Sequence, residues 1–154
     1  MKKQSGFTLI ELLVVIAIIG ILATIVLASL NSARVKANDT AVKSDLDNAR
    51  AAAELFYDTP TGGNQSYINV CKTAASGNIF SMVQAAATAG GVATTVRNGI
   101  PAATQAVCND TAAGWAAQVP LKSLNTNSWC VDSTGTSKGE TGTWMAAGTT
   151  IVCP

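Results

Sequence analysis

Histidine is absent from this 154-residue chain, charged residues make up only 12% of it, and aromatic residues only 5%. Without histidine there is no imidazole general base and no imidazole metal ligand, so any catalysis would have to run on carboxylates, lysine or cysteine. We expect no enzyme and no cofactor. Ten basic side chains against nine acidic ones leave a formal charge of +1. So small an excess provides no electrostatic grip on a phosphate backbone, which argues against nucleic acid as a partner. The four cysteines, Cys71, Cys108, Cys130 and Cys153, stand far apart and contain no C-x-x-C pair, so they lack the usual redox and zinc signatures.

Hydrophobicity, by contrast, is in excess at 48% of residues, and it is concentrated near the start. From Leu12 to Leu30 only Gly20, Thr24 and Ser29 are not apolar, and no charge occurs from Leu12 through Ala33. As a helix rising about 1.5 Å per residue, such a run crosses a hydrocarbon core of about 30 Å. The preceding Met1-Lys2-Lys3-Gln4-Ser5-Gly6 is a short basic leader that stays on the cytoplasmic side by the positive-inside bias. An ordinary secretory signal would end a shorter apolar core at a small-residue cut site, whereas here the helical pattern continues through Ser29, Ser32 and Ala33.

The segment Gly6-Phe7-Thr8-Leu9-Ile10-Glu11-Leu12-Leu13-Val14-Val15-Ile16 resembles the leader junction and mature start of type IV pilins and type II secretion pseudopilins. The resemblance implies cleavage between Gly6 and Phe7 by a prepilin peptidase, N-methylation of Phe7, and a mature chain beginning at Phe7. Loss of Lys2 and Lys3 would leave eight basic and nine acidic side chains. Glu11 has two readings. Thr8-Leu9-Ile10-Glu11 fits a capping box at a helix N-terminus. The resemblance instead pairs the Glu11 carboxylate with the freed amine of Phe7 on an adjacent subunit. Either way a carboxylate inside an apolar helix needs a partner, because at mid-membrane it costs roughly 2.5–3.5 kcal/mol. One departure from the family pattern is Ala28, which stands where many members carry a proline after the helix glycine, here Gly20. Local melting around Gly20 on assembly therefore does not carry over to this chain on the resemblance alone.

Beyond Ala33 the apolar residues Val35, Val42, Leu46, Ala49, Ala53 and Phe56 follow helical periodicity. Asp39 and Lys43, Lys43 and Asp47, and Arg50 and Glu54 stand four apart, which reads as a solvated face. Pro60 with Gly62 and Gly63 ends the pattern, so one helix is expected from about Phe7 to Asp58. Residues 59–154 then change character, with 15 threonines, 16 alanines and 11 glycines but only seven charges. Within them Ile79 to Ala86 reads as a short helix, capped by Asn78 and stopped by Gly90-Gly91. Trp115 to Leu121, Ser128 to Ser133 and Thr149 to Cys153 read as strands, with Pro120 confining its strand to an edge or bulge.

The organisation expected is a leader at 1–6, a transmembrane and filament-core helix at 7–33, an amphipathic stalk helix at 34–58 and a globular head at 59–154. The fold class is α+β, a long N-terminal helix packed on a small antiparallel sheet, pilin-like. Four cysteines allow three disulfide connectivities; we favour Cys71 with Cys108 and Cys130 with Cys153, the latter clamping the C-terminus onto a central strand. Such staples suit a small-residue head outside the cytoplasm. Asp132-Ser133-Thr134-Gly135 reads as a hairpin turn rather than a calcium site, since a hard cation needs about six or more oxygens and the head offers only Asp110, Asp132 and Glu140 as acids. Trp115, Trp129 and Trp144 read as core filling. The function implied is a structural subunit of a helical filament, first held in the bacterial inner membrane with its head outside the cytoplasm, then polymerised through its N-terminal helix. The partners implied are membrane lipid, other copies of the chain, the prepilin peptidase, an inner-membrane assembly platform and a motor ATPase. Other readings are a pseudopilin of a secretion machine, a minor pilin, or an adhesin or DNA-uptake head.

Overall fold

The computed structural model describes residues 6–60, 63–72, 78–92, 95–124, 126–146, 148 and 150–154. The chain divides into two compact units, Met1–Arg34 and Val35–Pro154, and helix α1, Leu9–Asp58, contributes to both. In the first unit α1 is unbroken through Gly20, Thr24 and Ala28. The Thr24 hydroxyl donates to the Ile21 carbonyl at 2.8 Å, so this polar group is satisfied within the helix itself.

In the second unit α1 buries Val42, Leu46, Ala49, Ala53 and Phe56, the stripe that its periodicity selects. A second helix, α2, covers Phe80–Gly90. Asn78 Oδ1 accepts from the Phe80 N–H at 3.2 Å at its start. Gly91 stops it in the left-handed region at φ 86°, and Gly90 lies so close to the Pro120 carbonyl that an added Cβ would stand 2.3 Å from that oxygen. Strands β1 (Thr95–Arg97), β2 (Ala106–Asp110), β3 (Trp115–Pro120), β4 (Asn127–Asp132) and β5 (Ser137–Thr141) form one sheet in sequential order. All neighbours pair antiparallel except β1 with β2, which are parallel.

One face of the sheet, through Ala106, Cys108, Trp115, Ala117, Val119 and Val131, joins the α1 stripe and Ile79, Val83, Ala86 and Ala87 in the main core. Alanine and cysteine at so many of these positions let backbones approach closely, which is how a head poor in large side chains still excludes water. The other face, Val107, Ala116 and Cys130, packs under Met145 and Cys153. Trp129 and Trp144 are only half-buried, so among the tryptophans full core filling belongs to Trp115.

Two further expectations need correction. Pro120 does not place its strand at an edge: β3 is the central strand. Proline is tolerated there because it is the last residue of β3, opposite Ser128 on one side and beyond the β2 ladder on the other. Residues 150–153 form no strand, and Thr149 lies outside the described residues. Side chains tether this segment instead: Asn109 Nδ2 donates to the Thr150 carbonyl at 3.1 Å, and the Cys153 N–H donates to Asp132 Oδ2 at 2.9 Å. All six residues of β3 are buried. Gln118 there donates to Ser128 Oγ and the Thr143 carbonyl and accepts from the Met145 N–H, which satisfies its amide beneath the covering segment.

Leu46 is completely buried whereas Leu27 is 65% exposed. Leu46→Ala should therefore destabilise the head by about 2–5 kcal/mol, with no comparable loss for Leu27→Ala. Chemical denaturation followed by tryptophan fluorescence checks the difference.

Candidate functional site

The N-terminal segment is built around Glu11. Its Oε2 accepts from the Thr8 N–H at 2.9 Å and from the Thr8 hydroxyl at 2.7 Å, while the Glu11 N–H donates back to Thr8 Oγ1 at 3.3 Å. This is the reciprocal capping box, and the Leu12 N–H to Thr8 carbonyl bond at 3.3 Å closes the first helical turn behind it. No cation pairs with Glu11 among the described residues. Phe7 is 86% exposed just before the helix. A Cβ added at Gly6 would meet nothing within 4 Å, so packing inside the chain sets no need for glycine there. Lys2 and Lys3 lie outside the described residues.

Along α1 the large apolar residues from Leu9 to Leu30 stay exposed, and the most apolar 18-residue window, with mean hydropathy 3.0, has none of its residues buried in the chain. By length and composition this helix can cross a membrane. Apolar residues on every side of a helix need lipid or other chains around them, because an isolated helix offers water no polar face there. A Cβ added at Gly20 would also meet nothing within 4 Å.

In the second unit the cysteines form Cys71–Cys108 and Cys130–Cys153 disulfides, with Cα separations of 5.6 and 5.8 Å. The first ties the segment after α1 to β2, and the second ties the last residues to β4. Beside the first lies a cluster that reading the sequence missed. Arg97 grips Asp110 by a fork, Nε to Oδ1 and Nη2 to Oδ2, both at 3.0 Å, and Nη2 also donates to Asn69 Oδ1 at 3.2 Å. Asp110 Oδ2 accepts from the Cys71 N–H at 3.3 Å as well. The one signal in the sequence was the scarcity of charge in the head, which makes each remaining charge there a candidate for a fixed partner.

The charges of α1 do not form a purely solvated face. Asp39 Oδ1 accepts from the N–H groups of Lys122 and Ser123 at 2.7 and 3.3 Å, and Asp47 Oδ1 accepts from the Ser137 hydroxyl at 3.0 Å. Lys43 Nζ stands 4.5 Å from the Trp129 ring centroid, a cation–π contact. Both oxygens of Glu54 accept from the Tyr67 hydroxyl, at 3.1 and 3.0 Å. Burial first, and then this carboxylate, push the Tyr67 phenol up to about 12. Periodicity places these residues beside the apolar stripe but cannot reveal which loops come to meet them.

Asp132 organises the β4–β5 turn. Oδ1 accepts from the Thr134 N–H, the Thr134 hydroxyl and the Thr136 N–H at 2.9, 2.6 and 3.1 Å, while Oδ2 accepts from Cys153. Burial alone raises this carboxyl, but the hydrogen bonds from Cys153, Thr134 and Thr136 outweigh it and hold the group below the ordinary aspartate range. A carboxyl with a lowered folded-state value stabilises the fold above its unfolded value and loses that contribution as pH falls through the folded one. The head should therefore lose stability below about pH 4, and Asp132→Asn should be less stable at neutral pH with a flatter acid slope. Thermal melting between neutral and strongly acidic pH checks both.

A family model described as the prokaryotic N-terminal methylation motif matches residues 1–27. A type IV wide pilus major component of Thermus thermophilus is 40% identical over 91 residues, which is 56% of this chain and 70% of that protein. A probable minor fimbrial protein of Dichelobacter nodosus is 45% identical over 84 residues, 53% of this chain and 52% of that one. The type II secretion system core protein G of Klebsiella pneumoniae is 36% identical over 75 residues, 45% of this chain and 54% of the relative. The chain thus spans about half the length of the second and third of these relatives. No solved structure matches it. An apolar, outward-facing first helix, a capped glutamate at its start and a relative matched over most of its length agree on one assignment: the chain belongs to the type IV pilin and pseudopilin family.

Proposed function

We propose that this protein is the structural subunit of a type IV pilus-like filament, processed between Gly6 and Phe7 and polymerised through its N-terminal helix. The observation that carries the reading is the unburied helix surface from Leu9 to Leu30, which none of the described residues covers. Lipid solvates that surface first, with the head outside the cytoplasm, and neighbouring helices cover it in the filament. Lipid tails are as apolar as the side chains they would leave, so transfer from membrane to filament gains little from the hydrophobic effect, and the driving energy must come from outside the subunit. An inner-membrane assembly platform with a motor ATPase supplies it in this reading. Once the filament stands in water, each fully covered Leu, Ile or Val contributes roughly 1.5–3 kcal/mol to cohesion.

The leader requires an enzyme on the cytoplasmic side. Because Gly6 sits in open space, its lack of a side chain serves the peptidase that reads it rather than the fold. Cleavage gives Phe7 a free amine, which is then N-methylated. The Glu11 carboxylate of an adjacent copy receives that amine, so the charge created by processing is neutralised only on assembly. The likeness to core protein G of a type II secretion system favours a second reading within the same architecture, a shorter pseudopilus in the cell envelope.

Sheared surface material separates the two readings: abundant chain beginning at methylated Phe7 supports the pilus, and chain confined to the envelope supports the pseudopilus. Replacing Gly6 with leucine should leave uncleaved precursor in the membrane, and mature chain in that variant would count against the processing site. Glu11→Ala should insert and be cleaved normally yet be depleted from filaments by roughly an order of magnitude, as expected when one partner of a buried charge pair is removed. Immunoblots of membrane and sheared fractions measure both, and normal piliation by Glu11→Ala would refute the pairing.

A further inference from the structure

Between α1 and the β4–β5 turn lies an open cavity of about 500 Å³, within the range of roughly 300–1,000 Å³ usual for small-molecule sites. Its helical wall is Asp47, Arg50, Ala51 and Glu54, and its far wall is the turn from Asp132 to Gly135. Both walls are fixed before any ligand arrives. The helix is seated in the core through Leu46, Ala49 and Ala53, and the Asp132 carboxylate holds the turn through Thr134 and Thr136. A Cβ added at Gly135 would stand 3.8 Å from Arg50 Nη2, so the guanidinium lies directly beneath the glycine of the turn.

Arg50 is half-buried, yet among the described residues no hydrogen bond or ion pair engages its guanidinium. Asp47 and Glu54 stand about one helical turn away on either side. Their carboxylates are turned to the head instead, Asp47 Oδ1 to the Ser137 hydroxyl and both oxygens of Glu54 to the Tyr67 hydroxyl. Asp132 is saturated by amides and by the Thr134 hydroxyl. Three groups are therefore left over among the described residues: the Arg50 donors, Asp47 Oδ2, and the hydroxyl hydrogen of Ser133, whose oxygen accepts from the Trp115 N–H at 3.3 Å.

Electrostatics narrow the ligand. Three carboxylates outweigh one guanidinium and repel an anion such as phosphate, while the guanidinium repels a metal ion or ammonium group placed beside it. Ala51 brings the sole apolar side chain among the lining residues, so a lipid tail or an apolar peptide gains little there. What fits is a neutral group that carries donors and acceptors side by side. We propose that this cavity binds a carbohydrate of a surface glycan, with adjacent ring hydroxyls of one hexose bridging Arg50 and Asp47. One hydroxyl oxygen accepts from the Arg50 N–H groups, and its neighbour donates to Asp47 Oδ2. Such bonds are charge-assisted, but a single sugar in so open a site binds with a Kd of about 1 mM. The site stands without the filament reading, whereas its use rests on it: a filament repeats the cavity in every subunit, and many weak sites on one fibre hold a glycan-coated surface far more tightly than one.

Nuclear magnetic resonance titration of the isotope-labelled full chain tests the site, with the protein dispersed in lauryldimethylamine oxide so that no sugar detergent competes. The probes are D-glucose, D-galactose and D-mannose. At least one should shift the Thr134 and Gly135 amide signals and the Arg50 Nε–H signal saturably, with a Kd of about 1 mM. Arg50→Gln should weaken that binding about tenfold, as when one hydrogen bond to a charged group is lost. Ala51→Phe, at an exposed helix position outside the core, should abolish it by filling the cavity. No saturable shift with any of the three sugars at about ten times that concentration, undiminished binding by Ala51→Phe, or a preference for sodium phosphate or tetraglycine would each overturn the assignment. Sheared filaments should then be retained on agarose beads carrying the hexose that binds, and be released by the free sugar. Filaments that pass through such beads would overturn the surface glycan as the source and leave free sugar as the ligand. Sheared material without this chain would remove the filament reading and leave the titration result standing.

Discussion

The rest of this molecule depends on apolar surface left open along the first half of α1. A helix hydrophobic on all sides cannot fold onto a single partner face, and here the exposed run includes Ile16, Leu22 and Leu27 at 56–65% exposure. Such a segment is stable only while something else surrounds it, lipid or copies of itself. Everything beyond Val35 obeys the opposite demand. There the helix buries one stripe, and the charges beside that stripe hold loops of the head, so one continuous helix meets two solvents in succession.

The head compensates for its composition by tethering. Small residues in its core give close contacts but little apolar area per residue, and such a unit gains from covalent and charge-assisted links. The disulfides Cys71–Cys108 and Cys130–Cys153 and the Asp132 carboxylate each join a segment without regular structure to the sheet, and the Arg97–Asp110 fork ties the short strand β1 to β2. Where a strand ladder would normally satisfy the backbone of residues 150–153, Asn109 and Asp132 do it by side chain.

The same physics sets what could be read in advance. The run from Leu12 to Leu30, the stripe through Leu46 and Phe56, and the break at Pro60 are local periodicities, and α1 ends at Asp58 as they dictate. Strands β3 and β4 carried β-forming residues and were legible. Strand β5, Ser-Lys-Gly-Glu-Thr, is a polar edge with no alternation to betray it, and β2 is buried throughout although it ends in Asn109 and Asp110. β2 pairs with β3 and β5 with β4 across short turns, and that pairing, not an alternation of their own, makes them strands. At the N-terminus Thr8 and Glu11 could be read as a cap from their spacing alone, whereas the destinations of Asp39, Lys43, Asp47 and Glu54 required the folded head.

The two readings of Glu11 prove compatible at the level of atoms. Both bonds that the carboxylate accepts from Thr8 fall on Oε2, and among the described residues none falls on Oε1. The cap therefore fixes the orientation of the side chain with one oxygen and leaves the other to receive a cation. In the unprocessed chain the nitrogen of Phe7 is an amide and carries no such charge, and no cation pairs with Glu11 among the described residues. A carboxylate held by two donors is better prepared for an incoming ammonium than a freely rotating one, since its rotamer entropy has already been lost to the cap. On this view Thr8 first satisfies the charge at the apolar boundary and then presents it, and the local cap becomes a precondition of the proposed contact between subunits.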